Sequence, residues 1–340
     1  MKKTTKILNL VMVLGLAFVT SSCSKDDDSI SSGTVSTPLP NAIAINESGF
    51  YPEGIVYSKS EQKFYAGSIL KGKIISIDLS GNEQFFAEDT TLVSILGLAI
   101  DETNNWLIVC NSDPGMGIKT DALTMEKLAQ IIVYDLLTGN KIRTTDLSGL
   151  IAGGHLVNDV TIDNNGNIYV TNSFSPVVYK IDASGNASIL VNDVQFTPPM
   201  GGFGLNGIVY HPDNYLIVGK YDEGKLFKIP LNNPTNVTQI TLDGTVNTVD
   251  GLLLMDNNTL VLVSNNLSGA PFNDAVYQLT TTDGWVTGSL DNTFTTPSGA
   301  VPTTLSMIDN TVYVNYSFLT SLLGGATPPI KEFPITKVSF

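Results

Sequence analysis

Residues 156–183 read LVNDVTIDNNGNIYVTNSFSPVVYKIDA. Short runs rich in Val, Ile and Tyr alternate apolar with polar side chains, which is the signature of half-buried strands. Between them, Asn165-Gly166 supplies the positive φ that a tight hairpin needs. The same layout returns at 51–79 (YPEGIVYSKSEQKFYAGSILKGKIISIDL) and at 204–231 (GLNGIVYHPDNYLIVGKYDEGKLFKIPL). Weaker copies begin at Ile95 (ILGLAIDETNNWLIVC), Thr248 (TVDGLLLMDNNTLVLVS) and Pro302 (PTTLSMIDNTVYVNYS). Ser80-Gly81, Thr138-Gly139-Asn140 and Ser184-Gly185 provide further turns. Six copies spaced by roughly 45 to 60 residues predict an all-β fold over residues 41–340. With four strands per copy, that fold is a six-bladed β-propeller of antiparallel blades around a central channel.

The last copy offers Thr304–Asp309, Thr311–Ser317 and Glu332–Phe340, one strand short of a blade. Ala42–Asn46 (AIAIN) is expected to fill the vacancy, joining the two chain ends and closing an open sheet edge. Asp121–Gln130 (DALTMEKLAQ) has helix-favouring residues and is expected as a helical excursion on the second blade, before the strand Ile131–Leu136.

Charged residues make up 15% of the chain against the roughly 25% usual in soluble proteins, which fits strands and turns better than long charged helices. The formal charge of −14 repels phosphate backbones and argues against a nucleic-acid partner. At the amino terminus, MKKTTK precedes the apolar run Ile7–Val19, which is too short to span a bilayer and has the proportions of a signal-peptide core. Thr20-Ser21-Ser22-Cys23 resembles the lipobox of bacterial lipoproteins, and Ser24-Lys25-Asp26-Asp27-Asp28 resembles the acidic export tag of Bacteroidota surface lipoproteins. These features predict a signal peptide over 1–22, a lipid on Cys23 and a flexible tether through residue 40. The protein is then expected on the outer membrane, lipid-anchored and exposed at the cell surface. The other cysteine, Cys110, sits in the apolar run WLIVC and reads as a buried hydrophobe.

In a propeller, the innermost strand of every blade lines the channel, so equivalent positions converge on one axis. The residues just before the first apolar strand of each copy are Glu53, Leu96, Asn158, Asn206, Asp250 and Thr303. Glu53, Asn158, Asn206 and Asp250 carry the two carboxylates and two amides that a hard cation such as calcium takes as oxygen ligands.

PEGIVY (52–57), VNDVTID (157–163), LNGIVYH (205–211) and VDGLLL (249–254) resemble the inner-strand motifs of the SMP-30/gluconolactonase family, over roughly residues 50–320. In that family and its relatives, the paraoxonases and squid-type phosphotriesterases, a Glu, two Asn and an Asp bind one divalent metal. The resemblance therefore implies metal roles for Glu53, Asn158, Asn206 and Asp250, with Asp250 also the general base or nucleophile of a calcium-dependent lactonase or esterase. Sugar-lactone members carry an Arg where this chain has Leu156, which points to a more apolar lactone or ester. His155, three residues before Asn158, is a second catalytic candidate, for proton transfer.

If inner strands start at the metal face, second strands end there. Ser68, Asn111, Asn172, Lys220, Tyr221, Asn265 and Ser317 are then expected at the pocket, with Phe203 of the Gly201–Gly204 turn as an apolar wall. Lys220 is the one cation of that set and could grip an anionic substrate, with a salt link to an acidic neighbour as the alternative. A monomer is expected. The alternative to a hydrolase is a ligand- or protein-binding propeller in which calcium only stiffens the channel.

Overall fold

The computed structural model describes residues 38–87, 89–267 and 272–340. The expected signal peptide, the expected lipidation site Cys23 and the expected tether up to residue 37 lie outside the described residues. Twenty-four strands form four four-stranded sheets and one eight-stranded sheet. The eight-stranded sheet is two blades stapled edge to edge. The outer strands Thr238–Leu242 and Thr287–Thr295 run parallel there, pairing Thr241 with Thr287 and Leu242 with Gly288. The result is six four-stranded antiparallel blades.

The inner strands are Pro52–Ser58, Ser94–Asp101, Val157–Ile162, Leu205–His211, Leu252–Asp256 and Pro302–Ile308. Each contacts the next, and the sixth returns to the first, which closes the ring. Six apolar clusters fill the gaps between consecutive blades. One of them packs Ile43, Ile45, Tyr313 and Phe333 of blade six against Ile55, Phe64 and Ile75 of blade one. Full burial of each such side chain stabilises the fold by about 1.5–3 kcal/mol, so the wheel is held by its inter-blade faces.

Ala42–Ile45 pairs antiparallel with Phe333–Lys337 and completes blade six, as the vacancy in the sequence demanded. The register Ala42↔Thr336 and Ile45↔Phe333 fixes its direction. The chain therefore reaches Ala42 on the face opposite the start of the inner strands. Three hairpins, two outer and one between the first and second strands of blade three, share one turn chemistry. Asp78, Asp163 and Asp182 each accept the backbone N–H of an Asn four residues on (2.9 Å in all three), around glycines with φ of +84°, +80° and +92°.

Residues 121–128 do not form the expected helix. Met125 and Leu128 make isolated helical hydrogen bonds to Asp121 and Thr124 (3.0 and 2.9 Å), but Glu126 has a left-handed φ of +56° between them. Asp113 causes the break. Its backbone oxygen accepts Glu126 N–H (2.8 Å), and its carboxylate accepts the hydroxyls of Thr120 (2.7 Å) and Thr124 (2.6 Å). The α-helix among the described residues is instead Leu319–Leu323, on blade six.

Candidate metal-binding cavity at the channel mouth

The six register positions meet at one end of the channel because inner strands carry a bulge there. Pairing with the second strand skips between Pro52 and Gly54, Ile95 and Leu98, Val157 and Val160, Leu205 and Ile208, and Pro302 and Leu305. A bulge re-aims side chains out of the strict alternation, here towards the axis. Glycine follows the register residue in four blades because neighbouring strands approach too closely for a side chain. A Cβ on Gly54 would stand 2.2 Å from the Leu96 carbonyl oxygen, and one on Gly207 would stand 2.3 Å from that of Asp250.

Glu53, Asn158, Asn206 and Asp250, all buried, line a single cavity of about 40 Å³ together with Leu96. Its apolar walls include Met116, Leu156, Phe203, Tyr221, Leu267 and Leu319, and among the described residues no cationic side chain lines it. The sixth register residue, Thr303, donates its hydroxyl to the Glu53 carbonyl (2.7 Å), and the Asn315 amide bonds the Pro52 carbonyl (3.0 Å). Those contacts fix the Glu53 backbone, while its Oε2 is buried without a hydrogen-bond partner.

The other ring residues are oriented from behind. Asn158 Nδ2 donates to Ser173 Oγ (2.9 Å), which donates in turn to the Leu205 carbonyl (2.6 Å). Asn265 donates its amide to Asp250 Oδ2 and to the Pro302 carbonyl (2.8 Å), and its own Oδ1 accepts the Tyr221 hydroxyl (2.8 Å). Burial pushes the Asp250 carboxyl up to about 8; Asp159 adds to the rise, and the Asn265 and Asn206 amides oppose it. Glu53 is raised well above the ordinary carboxylate range by burial first, then by the charges of Asp250 and Asp159.

Asp159 is the site residue that sequence reasoning missed. It follows Asn158 at the bulge, where other blades carry glycine, and burial lifts its carboxyl to about 7. Both its oxygens are engaged, Oδ1 by Val160 N–H (2.9 Å) and Oδ2 by Ile208 N–H (3.1 Å), so it adds charge rather than a free ligand. Among the described residues no group of three or more His, Cys, Asp or Glu side chains is arranged as a metal cluster. The ring offers two carboxylates and two amides, and a hard cation would draw its remaining oxygens from water or substrate. A partnerless buried carboxylate oxygen beside a second buried carboxylate fits that use, because a cation would relieve both the burial and the repulsion.

The remaining expectations divide. Phe203 and Tyr221 are in the cavity wall. Asn265 stands behind Asp250. Lys220 is buried away from the cavity, paired with Asp222 (3.3 Å) and Glu223. His155 is also buried outside the cavity lining, its Nδ1 3.5 Å from Asn172 Nδ2, and burial lowers its pKa. The residues ending the second strands share a different task, which is to hold the chain entering each inner strand. Ser68 bonds Phe50 O, Asn111 accepts Val93 N–H (2.9 Å), Asn172 accepts Leu156 N–H (3.0 Å) and Ser317 bonds Val301 O (2.7 Å).

Fold and cavity thus define a six-bladed propeller with an acidic, oxygen-rich ring at one mouth. No family model matches the chain, and no curated protein matches its sequence. Solved structures do match its fold. The allergen Mala s 1 of Malassezia sympodialis is 16% identical with a TM-score of 0.69, over 89% of this chain and 97% of that one. A calcium-binding regucalcin from Agrobacterium tumefaciens is 16% identical, with a TM-score of 0.60 over 88% and 95%. A gluconolactonase from Xanthomonas campestris is 13% identical, with a TM-score of 0.56 over 88% and 91%. At these identities the likeness is one of fold.

Proposed function

We propose that the protein is a calcium-dependent hydrolase of a lactone or ester, tethered to the cell surface through Cys23. The observation that carries the catalytic part is the convergence of Glu53, Asn158, Asn206 and Asp250 on one small cavity with Glu53 Oε2 unpartnered. These four residues would hold the cation. When bound, calcium supplies a Lewis acid that polarises the substrate carbonyl and offsets developing negative charge. Asp250, fixed by Asn265 at Oδ2, takes a proton from the attacking water at its other oxygen. As water oxygen bonds the carbonyl carbon and the ester C–O bond breaks, that proton passes to the leaving oxygen. The apolar walls keep bulk water from the reacting carbonyl. The names of the gluconolactonase and regucalcin neighbours agree with this reading.

The anchoring part is supported by the leader pattern, in which the apolar run Ile7–Val19 precedes Thr20-Ser21-Ser22-Cys23. Acyl-chain mass on a tryptic peptide containing Cys23, absent in Cys23→Ser, tests it.

Calorimetric calcium titration, followed by a panel of lactones and aryl esters with and without chelator, tests the hydrolase. Chelator-sensitive turnover is the expected result, and no calcium binding defeats the proposal. Tight binding without turnover on any member would favour a binding propeller with a structural cation, a reading that the cavity's 40 Å³ also accommodates.

A further inference from the structure

The cavity at the ring is small, about 40 Å³ against about 440 Å³ for the groove beside it, so the groove is the roomier place for the bulk of an ester or lactone. Phe203 and Pro114 line both cavity and groove. One wall is the loop joining blades three and four, with Pro198, Pro199 and Met200. The other comes from Glu126 of the blade-two excursion and Phe174 of blade three. Phe174 and Phe203 stack with ring centroids 5.7 Å apart and planes 20° from parallel, and Phe203 meets Tyr221 edge-on at 5.9 Å. A continuous aromatic surface thus leads from the groove to the ring.

The groove is preformed. Gly202 N–H bonds the Pro199 carbonyl (3.0 Å), Gly204 N–H bonds the Ser173 carbonyl (2.8 Å), and His155 N–H ties the excursion at the Glu126 carbonyl (2.9 Å). Met200 is nonetheless fully exposed, an apolar side chain at the rim with nothing over it. Among the described residues Glu126 is the sole charged side chain lining the groove, so an anionic occupant is disfavoured.

We infer that this groove seats a neutral aryl substituent of the substrate whose carbonyl enters the ring cavity. The inference rests on the hydrolase reading for the second half of that statement, but aryl binding stands by itself. Phe174, Phe203, Pro198 and Pro199 all line the groove, and such rigid rings favour a flat ring as neighbour over a flexible polar chain.

The test is fluorescence or calorimetric titration of the full chain with 2-naphthol, a neutral aryl probe that needs no turnover. Wild-type protein should bind it. Met200→Glu, at an exposed position with no folding role, and Phe174→Leu, which keeps apolar bulk, should each weaken binding about tenfold. Val194→Ser, also exposed on the same loop but outside the groove, should bind as wild type does. In parallel, kcat/KM for 2-naphthyl acetate relative to methyl acetate should fall in Met200→Glu and Phe174→Leu. Absence of 2-naphthol binding, or binding indifferent to both groove substitutions, overturns the inference. Groove-dependent binding with no hydrolysis of either ester or of any lactone or ester in the panel upholds the aryl site and defeats the hydrolase reading instead.

Discussion

Asn265 donates one side-chain nitrogen to both Asp250 and the Pro302 carbonyl, tying the ring residue of blade five to the chain that enters blade six. Replacing it by leucine keeps the volume and strips two buried acceptors of their donor. We expect Asn265→Leu to lose about 1–3 kcal/mol of stability by denaturant titration. It should also lose turnover beyond that, since Asp250 is no longer held in one rotamer. Full activity in a folded Asn265→Leu protein would remove Asp250 from the mechanism.

Within the ring, the two carboxylates should separate by function. Asp250→Asn keeps the shape and should reduce kcat by about 10²- to 10⁴-fold, the usual worth of a positioned base. Glu53→Gln should weaken calcium binding about tenfold or more, a loss of ~1.4 kcal/mol or greater. A wild-type calcium isotherm for Glu53→Gln contradicts the proposed coordination.

The same carboxylates set a pH dependence whose sign is fixed by their direction of shift. Asp250 rises from its ordinary 3.8 to about 8, Asp159 rises to about 7, and Glu53 moves the same way. The folded, calcium-free protein therefore holds more protons than the unfolded chain between about pH 4 and 8, and its stability falls as pH rises through that window. Calcium needs the ionised forms, so its stabilisation should grow with pH over the same range. Thermal melts in chelator and in excess calcium, from pH 5 to 8.5, should diverge steadily. Parallel curves would show that the ring carboxylates do not meet the ion.

Why the ring could be read from sequence and Asp159 could not follows from the bulges. Four blades place glycine after the register residue, so Glu53, Asn206 and Asp250 each stand before a gap that marks them. Strict alternation assigns only one of two successive residues to the channel, and it gave that place to Asn158 alone. The available signal was an aspartate occupying a glycine position. Strand direction placed Lys220 at the pocket, with a salt link to an acidic neighbour as the alternative, and Asp222 and Glu223, two and three residues away, are its partners. The helix expected at 121–130 failed for a non-local reason, since Asp113 claims its hydroxyls and the Glu126 amide. The clasp was legible because a missing strand and a spare one can be counted.

Close strand approach at the mouth makes glycine substitution costly. An added methyl at Gly207 would sit 2.3 Å from the Asp250 carbonyl oxygen and 2.8 Å from Leu252 Cγ, both parts of blade five. Gly207→Ala should cost about 1–3 kcal/mol through overpacking and push Asp250 off the axis. Reduced calcium affinity accompanying the lower melting temperature checks this. Gly81→Ala is the comparison: a Cβ there meets nothing within 4 Å, so it carries only the strain of its φ of +84° and should leave calcium binding unchanged.

The clasp should govern the stability of the whole wheel. Ile43 and Ile45 are buried in the cluster between blades six and one, beside Phe333 and Ile335. Ile45→Ala should cost about 2–5 kcal/mol, the transfer and cavity terms together. Deleting residues 38–46 goes further, leaving Phe333–Lys337 as an unpaired edge and uncovering the cluster beneath it. Such an edge is a template for pairing with other chains, so the deletion should shift the protein to larger species by size-exclusion chromatography, and adding a peptide of residues 38–46 should restore the elution of the undeleted protein. A deletion protein that elutes and melts as the undeleted one does would show that the ring closes without its amino-terminal strand.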